Sequence, residues 1–247
     1  MDAPIAWILV GAATAGFVQG LSGFGFGLVA ISFWAWVLDP RLAAVLAVFG
    51  ALTGQLLAAF TVRRGFEWKL VWPFIAGGLA GLPLGLLLLP HLDVLRFRAG
   101  VGVLLTVWCP LMLFSTRLPQ VRFGGRWADA AAGACGGFMG PLGGFTGAMP
   151  TLWCTLRGLE RDAQRAVIQN FNLAMLATTM AAYLASGTVT PPMLPLMAAV
   201  APALVLPALA GMKLYAGISP LAFRKLVLAL LTASGVAMLA SVLPQLR

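Results

Sequence analysis

The sequence predicts an all-α integral membrane protein, about eight hydrophobic segments in two duplicated, inverted halves, each opening on a glycine-broken helix. Three observations carry that reading: a 61% hydrophobic and 9% charged composition, charge-free runs of membrane-crossing length, and a glycine motif that occurs twice. Soluble domains carry roughly 25% charged residues. A helix needs about 20 apolar residues to cross about 30 Å of hydrocarbon. The runs over residues 3–38, 42–62, 70–90, 99–116, 130–156, 166–212 and 226–246 reach that scale. Pro191-Pro192 divides the longest of them, 166–212, into two. The start, Met1-Asp2, lacks a basic stretch and no cleavage site follows, so the first segment is expected to be retained.

Two stretches establish the duplication. "GFVQGLSGFGFG" at residues 16–27 and "GFMGPLGGFTGA" at residues 137–148 agree at five of twelve positions, including Gly16/Gly137, Gly23/Gly144 and Phe24/Phe145. Further on, "FRAGVGVLLT" from Phe97 and "FRKLVLALLT" from Phe223 agree at six of ten. The offsets, 121 and 126, are nearly equal, and Asp39 and Glu160 fall at equivalent positions after the glycine segments. The repeats are therefore placed at residues 3–116 and 128–246, within one membrane domain. Transporters are the usual users of such symmetry, because two similar bundles can move around a site at their interface.

Charge sets the orientation. In a soluble protein the formal +9 would point to nucleic acid, but here the Lys and Arg lie mostly between hydrophobic segments, where they act as orientation signals beside anionic headgroups. If each glycine-broken segment enters and returns on one side, Lys and Arg divide twelve to four, with Arg41, Arg96, Arg98 and Arg247 on the poor side. The rich side is then cytoplasmic, both termini face outward, and repeat partners such as Arg98 and Arg224 lie on opposite faces. The run 130–156 would give hairpin arms of about 13 residues, or about 20 Å. One long bent helix remains an alternative for the first segment.

Unpaired backbone groups are tolerated at membrane depth only inside protein or beside a polar cavity. A break also frees the first amides of the following half-helix, which carry the positive end of its dipole and attract anions. The two clusters are therefore read as a site, whereas Gly77, Gly78, Gly81 and Gly85 are read as helix-packing glycines. Ser22, Thr146 and Gln19 would add polar groups, and Gln55 and Asn172 each lie in the helix that follows a break. All seven acids, Asp129 among them, fall at segment ends or in connections, which argues against a proton relay through a buried carboxylate. Arg98 and Arg224 are the symmetric cations that could reach inward, although snorkelling is their commoner use. The tryptophans, Trp34 and Trp36 included, are expected to be interfacial anchors. No catalytic set, metal-ligand cluster or phosphate loop is present, so the chain reads as a non-enzyme without cofactor or metal.

At "GFVQGLSGFGFGLVAISF" and "GGFMGPLGGFTGAMPTLW" the chain resembles the TauE/SafE family of membrane permeases, over about residues 4–243. The resemblance implies transport of small anions, especially sulfite and organosulfonates such as sulfoacetate. It carries the site to Gly20, Ser22, Gly23, Phe24 and Gly25 and to Pro141, Gly143, Gly144, Phe145 and Thr146. Family members often place a proline shortly after the first cluster; this chain has Ser32-Phe33 there and keeps Pro150 in the second half. The expected function is a secondary transporter moving sulfite or an organosulfonate by alternating access across a bacterial cytoplasmic membrane, with multiple passes. Alternatives are a passive anion channel, a carrier of another small organic anion, or a non-transporting assembly subunit. The expected partners are the anion and membrane lipids, with a homodimer left open and no nucleic acid.

Overall fold

Helix boundaries fall where capping acids, prolines and glycines permit them. The computed structural model describes residues 2–23, 25–61, 68–114, 120–121, 124–214 and 220–245. Among these, every regular element is helical, in the order α1 (Asp2–Ser22), α2 (Phe26–Trp34), α3 (Pro40–Thr61), α4 (Trp68–Leu88), α5 (Val94–Phe114), α6 (Gly125–Met139), α7 (Ala148–Leu156), α8 (Arg161–Ala185), α9 (Leu194–Leu214) and α10 (Pro220–Val242). Asp39 accepts the Arg41 backbone N–H at 2.9 Å and Asp93 accepts that of Arg96 at 2.7 Å, so α3 and α5 start on acidic N-caps. Helices α7 and α8 stop at Gly158 and Gly187, both at φ 66, with the paired backbone bonds of Schellman ends, such as Thr188 N–H to Tyr183 O at 2.9 Å.

Among the described residues, six helices, α1, α3, α4, α5, α9 and α10, are long and apolar enough to cross a membrane. Leucines exposed around α4, α9 and α10, such as Leu87, Leu206 and Leu230, form an apolar perimeter suited to lipid. The remaining hydrophobic runs resolve differently from uniform spans. Helix α8 has 25 residues but carries Gln164, Arg165, Gln169, Asn170 and Asn172, while α2, α6 and α7 are too short because the glycine segments interrupt them. The interior belongs to α3, whose stretch 43–48 is fully buried, and to α8, which packs against it.

Close packing is mediated by small residues. Helix α1 lies on α9, with Gly16 against Leu204 O and Gly20 against Ala208 O. Helix α4 lies on α6, with Gly77, Gly81 and Gly85 against the carbonyls of Ala130, Ala134 and Phe138. The expectation that these α4 glycines serve packing is met: without Cβ, backbones approach closely enough for dispersion forces to act. In both pairs the contacts advance together along the two helices, so each pair is parallel. Helices α5 and α10 instead run antiparallel, with Gly102 at Leu239 and Gly235 at Thr106.

Two tryptophans depart from the interfacial role. The buried Trp34 indole donates to Ile8 O at 3.0 Å, and the buried Trp108 donates to Ala148 O at 2.9 Å. Each bond satisfies an indole N–H that burial would otherwise leave without an acceptor. Trp7, Trp68, Trp72 and Trp127 are exposed, as anchoring requires.

Candidate functional site

Both glycine clusters break a helix and turn the chain back. After α1, Gly23 (φ 77) and Gly25 (φ 95) take left-handed backbone that side chains other than glycine rarely adopt. Helix α2 then returns along α1 until Trp34 meets Ile8 and the Trp7 indole donates to Phe33 O at 3.0 Å. Between α6 and α7 the turn over residues 140–147 uses Gly144 at φ 71. Helix α7 returns until the Trp153 indole reaches Asp129 Oδ1 at 2.7 Å and Arg157 Nη1 reaches Asp129 Oδ2 at 2.6 Å. Asp129, expected at a segment end, is buried to 3% exposure by these two partners, which hold the foot of the second hairpin together.

Arg98 has a different use from anion binding. Its Nε donates to Ala35 O at 2.7 Å and its Nη2 to Trp36 O at 2.9 Å, and its guanidinium stacks over the Trp36 ring at 5.6 Å. It thus serves the carbonyl end of α2, where the dipole favours a cation. The Arg224 side chain and Phe24 lie outside the described residues.

The two breaks abut. A Cβ on Gly27, in the first turn of α2, would lie 2.2 Å from Gly143 O and 3.0 Å from Gly144 O. Helix α3 lines both: Gln55 Nε2 donates to Gly23 O at 3.0 Å, and a Cβ on Gly144 would be 3.3 Å from Ala47 O. Helix α8 lines both as well. Thr146 Oγ1 donates to Asn172 Oδ1 at 2.9 Å, and the Tyr183 hydroxyl donates to Pro141 O. Beside Gly25 a Cβ would meet nothing within 4 Å, so the first break borders open space.

Most of the expected site residues converge there: Gly23, Gly25, Gln55, Gly143, Gly144, Thr146 and Asn172 border the junction, and Pro141 and the buried Phe145 shape its second turn. Gln19 sits deeper in α1, donating to Ala51 O at 3.1 Å. Ser22 bonds back to Val18 O at 2.7 Å, and Gly20 packs against α9 backbone at Ala208 O.

A sulfite exporter TauE/SafE family model matches residues 8–238, nearly the whole chain and both hairpins. The chain belongs to the TauE/SafE family. No curated protein and no solved structure matches it. TauE/SafE proteins are membrane transporters of the sulfite and sulfonate type, and a multi-pass membrane location follows for this chain.

Sequence reasoning left one residue out of the candidate site. Gln169 of α8 is 5% exposed, and its Nε2 is 3.8 Å from where a Cβ on Gly23 would be. Its spacing of three from Asn172 was the available signal, because residues i and i+3 share a helix face.

Proposed function

We propose that this TauE/SafE member exports a small sulfur oxyanion, sulfite or an organosulfonate, by alternating access around the junction of its two broken hairpins. The meeting of Gly27 with the Gly143 carbonyl is the observation that carries the reading, because it joins two dipole-bearing helix starts in one place. Each return arm has nine residues, or about 14 Å, roughly half the hydrocarbon thickness. That length supports a junction near the midplane, where transporters of this architecture bind.

Residues 3–116 and 128–246 act as two inverted repeats. Gly16 against Leu204 has its counterpart in Gly137 against Gly78 at the offsets of 121 and 126, with the halves exchanged. Gly211 against Phe17 O likewise corresponds to Gly85 against Phe138 O. The antiparallel course of α5 and α10, the helices that align at 126, supports inversion. Each half thus packs its first helix on the fourth helix of the other, a swapped arrangement that lets the halves tilt against each other around the hairpins.

Purified protein in liposomes should show saturable counterflow of labelled sulfite, stimulated by sulfite or methanesulfonate inside. Conductance that never saturates would turn the reading to a channel, and absence of any flux would remove transport of these anions. Inversion has its own test in a Cys135→Ser background. Trp127→Cys, 88% exposed at the start of α6, should be shielded from an impermeant external thiol reagent in cells. Arg96→Cys, at the start of α5 and 70% exposed, should be labelled. Labelling of both from outside would sink the inverted topology.

A further inference from the structure

We infer that the junction selects a singly charged sulfur oxyanion, hydrogensulfite or an organosulfonate, over the sulfite and sulfate dianions, with Gln169 and Asn172 as its side-chain donors; this rests on the anion-site reading above. Three observations converge. Gln169 is 5% exposed, and none of the side-chain hydrogen bonds among the described residues involves it. It nevertheless points at Gly23. Its amide atoms are not sealed, unlike the buried unpaired Oε1 of Gln19, and they face a break with open space beside Gly25.

Asn172, one turn further along the same face, receives Thr146 on Oδ1, which orients its Nδ2 as a donor toward Gly147; a Cβ there would be 2.8 Å away. Asn172 therefore reaches the second break as Gln169 reaches the first. Together they present uncharged N–H donors to both halves of the junction.

Charge decides the substrate class. Each half-helix start contributes roughly half a positive charge, so α2 and α7 together offset at most about one negative charge, and the carbonyl ends of α1 and α6 beside the same breaks lower that figure. The described cations are committed or remote: Arg98 to the carbonyl end of α2, Arg157 to Asp129, and Arg41 to Gly187 O at 3.0 Å. Arg165 shares the face of Gln169 one turn nearer the start of α8, but it is exposed, and there it gathers anions without neutralising one inside. A second buried negative charge would have no counter-charge, and such a charge is strongly disfavoured.

The test is binding to the full-length protein in lipid nanodiscs, measured by calorimetry with methanesulfonate, sulfate and sulfite. Methanesulfonate should bind equally well on either side of the pH at which hydrogensulfite loses its proton. Sulfite affinity should fall about tenfold per pH unit above it, as the competent species is depleted, and sulfate should bind at least about a hundredfold more weakly. Gln169→Leu should weaken methanesulfonate by about tenfold or more, the loss of a hydrogen bond to a charged group. Gln169→Lys should gain affinity for sulfate, a change of preference that a merely structural glutamine would not produce. Wild-type sulfate binding as tight as methanesulfonate would overturn the charge selection while leaving an anion site. Unchanged affinity in Gln169→Leu would overturn the assignment of the donor. Binding of none of the three anions would overturn the site reading and this inference together.

Discussion

Gly77→Val is expected to leave no stably folded protein. A Cβ at position 77 would lie 1.9 Å from Ala130 O, 2.6 Å from its carbonyl carbon and 2.9 Å from its Cα. All three atoms are backbone, so no side chain can swing aside. Nor can α4 slide along α6, because Gly81 and Gly85 meet Ala134 O and Phe138 O in the same register, and Gly133 and Gly137 meet Phe74 O and Gly78 O from the other side. The helices must separate along their whole contact, and in a bilayer there is no hydrophobic gain between helices to replace the lost packing. Overpacking at one site costs about 1–3 kcal/mol; a clash propagated along a zipper should exceed the upper end. Gly100→Ala is the control, since a Cβ there meets nothing within 4 Å, and removing a helical glycine stabilises by roughly 0.5–1 kcal/mol. Thermal unfolding in detergent separates the cases. A wild-type melting temperature for Gly77→Val would show that α4 and α6 do not pack as described.

The contrast between glycines also marks how far the sequence could be read. The breaks were legible because Gly23, Gly25 and Gly144 cluster where an apolar run needs interruption, and left-handed backbone is a demand that few other residues meet. Gly16 and Gly20 belong to the same cluster but keep helical phase, and their spacing of four faces them both to α9. Composition cannot separate a turning glycine from a packing one; phase relative to a neighbouring helix does, and the neighbour is distant in sequence. Arg98 was misleading for a related reason. Its proximity to the carbonyl end of α2 depends on α5 passing beside the first hairpin, which no local pattern encodes. Gln169 was hidden by its company, since Gln164 and Asn170 on the same helix are bonded locally, to Thr155 Oγ1 and Ala166 O. Only burial and the absence of a partner set it apart.

Gly144→Val should insert and fold yet fail to transport. Gly144 is at φ 71, where a β-branched residue is a genuine outlier, and holding it there costs about 1–3 kcal/mol. Its Cβ would stand 3.3 Å from Ala47 O and 3.6 Å from the Ala51 Cβ, tight against α3 without the impossible overlap found at position 77. The turn can relax by shifting its backbone, and that shift displaces Gly143, whose carbonyl meets the first turn of α2, and Thr146, whose hydroxyl orients Asn172. Fold survives because the α4/α6 and α1/α9 contacts lie elsewhere; the junction does not. Gly187→Ala distinguishes strain from geometry. Position 187 has φ 66 with nothing within 4 Å of its Cβ, so the same backbone penalty of about 1–2 kcal/mol applies at the end of α8, away from both breaks. Counterflow in liposomes should be lost in Gly144→Val and kept in Gly187→Ala, with both proteins monodisperse. Wild-type counterflow in Gly144→Val would mean that the anion passes without the paired turns, and the junction of the two hairpins would lose its claim to be the site.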